Sequence, residues 1–164
     1  MTIISQDSVD KTWQQIANYS FDEAGKEMTS MVNAQPELLA FIYGLSFDLN
    51  PEAKETIVYM IFIIYTMYLN NGGKIKQITE QEIDTYYNAK EKEIDKFKIL
   101  DENMLEQIFA DSFSAQPFVI EFITDALMED PIDNENDSLT DEDKSYIFLI
   151  ILVVIGVFEN KTKN

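Results

Sequence analysis

The chain has no cysteine and no histidine, and each of its 12 basic residues is a lysine, so arginine is missing as well. Without cysteine there are no disulfides, thiolate zinc sites or thiol nucleophiles. Without histidine the commonest general base and metal ligand is gone. Without arginine the planar fork that grips phosphates and carboxylates at two points is gone too. The sequence also lacks a glycine-rich phosphate loop, a G-x-S-x-G nucleophile motif, and a serine or threonine with an evident base. These absences point to a non-catalytic protein, with no catalytic, cofactor-binding or metal-binding residues expected.

Positive charge is scarce overall. Thirty acidic residues against 12 lysines give a formal net charge of -18. Such a field repels nucleic-acid phosphates and anionic lipid headgroups, so neither is expected as a partner. The same field attracts basic proteins and speeds their encounter at low salt.

Long apolar runs are few and short. Ile57 to Leu69 and Tyr146 to Phe158 span 13 residues each, the first interrupted by Thr66. A membrane span needs about 20 apolar residues, and runs of about 10–14 are typical of buried core helices. Both read as central helices of one soluble core. Residues Met1 to Asp7 lack the basic start and apolar stretch of a signal peptide, so a cytoplasmic location is expected. At 164 residues the chain suits a single domain.

The most informative pattern present is an echo. Ala34-Gln35-Pro36-Glu37-Leu38-Leu39-Ala40-Phe41-Ile42 is answered by Ala115-Gln116-Pro117-Phe118-Val119-Ile120-Glu121-Phe122-Ile123. Leu49-Asn50-Pro51-Glu52-Ala53-Lys54 before the first apolar run matches Leu139-Thr140-Asp141-Glu142-Asp143-Lys144 before the second. The order of these matches predicts two duplicated three-helix units, 21–69 and 102–158, joined by a charged helical connector over 74–98. Strand-type alternation is absent, so the expected fold is all-α, a compact bundle of about eight helices with pseudo-two-fold arrangement.

Along the chain, Val9, Trp13 and Ile16 mark an amphipathic helix over Ser8 to Tyr19. Ser20-Phe21-Asp22-Glu23 is a capping box, and Phe21, Ala24, Met28, Met31 and Val32 form the apolar face of the helix that follows. Proline at 36 and 117 suits the first turn of a helix and makes each Gln-Pro a corner. Asn50 and Thr140 cap the two apolar helices, and Asn70-Asn71-Gly72-Gly73 ends the first. Thr79-Glu80-Gln81-Glu82 is another capping box, heading a helix with Ile83, Tyr86, Tyr87, Ile94 and Phe97 on one stripe. Trp13, Ile16 and Tyr19 align with Ile94, Phe97 and Leu100 at the offset of the Ala-Gln-Pro echo. Met104, Leu105, Ile108, Phe109 and Phe113 predict a further helix before the second corner.

Three groups of residues invite a chemical role. Asp133, Glu135 and Asp137, in the acidic loop 129–138, are spaced like the first EF-hand ligands, but Ser138 stands where glycine is needed and Lys144 where a bidentate glutamate belongs. A solvated loop is the expected outcome. Lys54 and Lys144 recur in both units and read as surface ion-pair partners. Tyr59, Tyr65, Met67 and Tyr68 stand where the second apolar helix has Leu149, Ile155, Val157 and Phe158. Phenol groups need partners or solvent, so the first apolar helix is expected either to end in water or to line a groove or subunit contact.

The function expected is a protein-binding module whose acidic surface docks a basic protein, as toxin-neutralising, adaptor or regulatory modules do. The alternative is a helical domain holding a small apolar ligand between its two units. Either reading allows a homodimer through an exposed helix face.

Overall fold

The computed structural model describes residues 2–97, 110, 115–128 and 139–162, with backbone alone for 89–97, 128 and 162. Seven helices occur among the described residues, which contain no strand: α1 (Gln6–Ala17), α2 (Phe21–Ala34), α3 (Pro36–Leu45), α4 (Pro51–Asn70), α5 (Glu80–Phe97), α6 (Pro117–Met128) and α7 (Asp141–Thr162). Met104, Leu105, Ile108, Phe109 and Phe113 of the predicted further helix, and Asp133, Glu135 and Asp137 of the acidic loop, lie outside the described residues.

Local chemistry sets the helix ends. Ser5 caps α1 by accepting the Ser8 amide on its Oγ, so this helix starts two residues before the expected Ser8. Ser20 and Glu23 close the predicted capping box of α2, with Ser20 N donating to Glu23 Oε2 at 2.8 Å and Glu23 N to Ser20 Oγ at 3.2 Å. The Ser20 amide holds the Glu23 carboxyl below its ordinary value. Thr79 and Glu82 form the same reciprocal pair of hydrogen bonds at the start of α5, and Thr140 and Asp143 at the start of α7. Asn50 caps α4 on the Ala53 amide, and α4 ends where Gly72 takes a φ of 83°, a conformation that suits a residue without Cβ.

The two apolar helices, α4 and α7, pack together at the centre. Ile57, Ile61, Ile64 and Met67 on α4 and Ile151, Val154 and Phe158 on α7 are completely or almost completely buried. The Phe158 ring packs against Tyr65 and Tyr68 with centroids 5.9 and 5.2 Å apart. Burial of branched aliphatic side chains at about 1.5–3 kcal/mol each makes this pair the main source of stability. No helix among the described residues is long and apolar enough to cross a membrane.

The remaining helices are arranged crosswise around that pair. α1 packs on α4 and also on α6, while α5 packs on α7 and also on α3. Trp13 reaches Phe122 of α6 with ring centroids 5.6 Å apart, and Phe41 of α3 meets Tyr87 of α5 at 5.5 Å. Trp13 remains half-exposed, however. The buried stripe of α1 is Val9, Thr12 and Ile16, and the Thr12 hydroxyl accepts from Asn70 at 3.0 Å. A threonine was not legible as core because its hydroxyl needs a partner that only the fold supplies.

Candidate binding surface

The two Gln-Pro corners are more than turns. Proline at the first helical position of α3 has no amide for a cap to satisfy, and Gln35 makes no capping bond with its side chain. Its carboxamide is instead fully buried and clamps the extended segment before α5. Gln35 Oε1 accepts the Ile78 amide at 2.9 Å, and Nε2 donates to the carbonyls of Ile75 and Lys76 at 3.3 Å each. Gln116 repeats this on the segment before α1. Its Oε1 accepts the Ile4 amide at 2.9 Å, and its Nε2 donates to the Thr2 carbonyl at 3.4 Å and to Glu159 Oε1 at 2.8 Å.

Ile4 and Ile78 thus occupy matching positions, each fully buried and each leading into a capped helix. Ile4 stands two residues before α1 and Ile78 two before α5, each held on its own glutamine. Ile94, Phe97 and Leu100 lie outside the residues whose side chains are described.

Buried polar groups elsewhere are likewise engaged. Tyr68, wholly inside the core, donates its hydroxyl to Glu159 Oε1 at 2.7 Å, and Tyr146 donates to the Leu45 carbonyl at 2.8 Å. Burial pushes the phenol pKa of Tyr65, Tyr68 and Tyr146 upward, and the neighbouring Glu159 carboxylate pushes Tyr68 further. Of the four residues singled out on α4, Tyr65, Met67 and Tyr68 are core, and only Tyr59 is exposed.

Tyr59 belongs to an open groove of about 880 Å³ formed by α2, α3 and α4. Phe21, Met28 and Val32 supply the α2 wall, Leu39 and Tyr43 the α3 wall, and Val58 and Tyr59 the α4 wall. Here the expected burial of α2 fails. Met31 is buried, Ala24 and Met28 are partly so, and Phe21 and Val32 are 94% and 43% exposed. The apolar stripe read from the sequence is wider than the surface α3 and α4 offer it, so one edge of α2 stands open.

Lys54 also departs from expectation. Its ammonium lies 5.7 Å from the Tyr43 ring and 5.4 Å from the Phe47 ring, both rings being exposed. This is the geometry of cation–π attraction. Its counterpart Lys144 is buried, not a surface residue. The charged residues that line the groove are one of each sign, Lys54 and Glu55, within a chain of net charge -18.

A second cleft, of about 450 Å³, lies between α5 and α7 and includes Tyr86, Val157 and Asn160. Lys161 and Glu82 line it, with Lys161 Nζ 2.6 and 2.7 Å from the two carboxylate oxygens. This hydrogen bond from Lys161, with the Thr79 amide, holds the Glu82 carboxyl below its usual range. No group of three potential metal ligands occurs among the described residues. Compared with protein-family models, characterised proteins and solved structures, the chain matches none.

Proposed function

We propose that the protein is a non-catalytic, cytoplasmic binding module that docks a basic protein partner on the α2–α3–α4 groove. The observation that carries this reading is the coincidence of an aromatic groove with an acidic surface. Phe21, Val32, Tyr43, Phe47 and Tyr59 are large apolar side chains left at least 41% exposed on one side of the molecule. Contiguous exposed apolar surface on a soluble protein marks an interaction site. A net charge of -18 selects a partner of opposite sign and disfavours a second copy of the same chain.

A small apolar ligand is the second reading, favoured by the volume of the groove, which falls within the roughly 300–1,000 Å³ common for ligand sites. We propose the same groove for such a ligand, in place of the position between the two units expected from the sequence.

We further propose that the chain is built from two copies of one unit. The support is the pair of Gln clamps, together with the matched caps at Asn50 and Thr140.

The test is retention of partners from lysate by the immobilised wild-type chain and by the Phe21→Ser/Tyr59→Ser variant, with elution in a salt gradient. A basic protein held by the wild type, released by moderate salt and lost by the variant supports docking. Partners held equally by both proteins count against the groove. A co-purifying apolar molecule in place of any protein favours the ligand reading.

A further inference from the structure

We infer that the occupant of the groove is an amphipathic α-helix whose apolar stripe fills the α2–α3–α4 groove and whose lysine or arginine flanks meet the acidic surface around it. This rests on the protein-docking reading above and specifies the partner's form.

The backbone of the groove decides the form. Phe21, Met28, Leu39, Tyr43, Val58 and Tyr59 all lie within helices. Backbone groups in helix interiors are already bonded within the helix, so these walls offer side chains and no strand edge. An extended segment laid here would carry its own N–H and C=O groups into an apolar groove without partners. A helix satisfies them internally and presents only side chains.

The dimensions agree with that form. Phe21 and Val32, at the two ends of the α2 wall, are eleven residues apart, about 16 Å at 1.5 Å per residue. About three turns of a partner helix cover that length, with apolar anchors at i, i+3 or i+4, and i+7.

Charge then sets the flanks. The chain's net charge of -18 favours cationic side chains on the flanks of the partner helix.

The test uses the full chain and three labelled 15-residue peptides in fluorescence anisotropy at two salt concentrations. One peptide has leucines on a single helical face and lysines elsewhere, the second has the same composition scrambled, and the third carries a central proline. The expected result is that the first binds at least tenfold more tightly than the other two, and that its circular dichroism gains helix on binding. Phe21→Ser/Tyr59→Ser should weaken it about tenfold while leaving the thermal midpoint unchanged. Equal binding of all three peptides, or binding of the first with no gain of helix, overturns the inference. If the lysate experiment yields a groove-dependent basic protein while the helical peptide fails, only the helical form of the partner is lost. If both fail, the docking reading falls with it.

Discussion

Gln35 and Gln116 perform the same task on opposite parts of the chain: each receives a buried isoleucine amide on its Oε1 at 2.9 Å, from Ile78 and Ile4 respectively. A buried amide left without an acceptor costs about 1–3 kcal/mol, and more where a charged group also loses a donor. Gln35→Ala is therefore expected to destabilise the protein by about 1–3 kcal/mol. Gln116→Ala should cost more, because Glu159 loses a hydrogen bond as well. Urea unfolding would measure both, and hydrogen exchange should quicken at Ile78 in the first variant and at Ile4 in the second. Losses below about 0.5 kcal/mol would mean that water replaces the carboxamide.

A second expectation concerns Gly156, on the face of α7 against α5. A Cβ built there would stand 1.9 Å from the Tyr86 hydroxyl oxygen and 2.1 Å from its ring carbon Cζ. The ring must move for any side chain to fit. Gly156→Ala should cost about 1–3 kcal/mol, the usual range for overpacking. Combined with Tyr86→Ala, most of that added cost should vanish, since the obstacle is gone. A double-mutant cycle with additive losses would show that Tyr86 is not the obstacle.

The buried tyrosines fix the response to alkali. Their folded pKa values are raised, so the stability they contribute is fully present below the ordinary value of about 10. Above that pH the unfolded chain ionises first, and the stability is lost as pH rises toward the folded values. The urea midpoint should hold to about pH 9.5 and then fall, with tyrosinate absorbance appearing together with unfolding. Tyr68→Phe should flatten the fall. Ionisation of all eight tyrosines without unfolding would contradict the burial of Tyr65 and Tyr68.

At the groove, stability and binding should separate. Phe21 is 94% exposed and contributes little to the core. Phe21→Ser is expected to change stability by less than about 0.5 kcal/mol, as substitutions away from packed sites do. Partner retention should nevertheless fall. A loss of stability above about 1 kcal/mol would place the ring in the fold and not in recognition.

Much of the framework was legible because local signals agreed with the tertiary outcome. The boxes at Ser20 and Thr79, the caps at Asn50 and Thr140, and the glycine stop at Gly72 each act within a few residues. The two apolar runs needed burial on every side, and they lie against each other at the centre. What stayed hidden depends on distant groups. Gln35 and Gln116 were visible as identical residues in matching positions, but the amides they hold belong to segments far along the chain. Thr12 and Lys144 are buried for the same kind of reason. The groove was half legible: the tyrosines of α4 raised it as one possibility, yet Tyr65 and Tyr68 turned inward while Phe21 and Val32, read as core, formed its other wall.

The crossed clamps also order events in time. Ile4 is translated long before Gln116 and Glu159 exist, yet its amide and the neighbouring Thr2 carbonyl are satisfied by Gln116. A nascent chain can wind α1 and α4 early, but the segment at 2–4 must wait. The segment at 2–4 therefore gains these partners only after the second corner has left the ribosome.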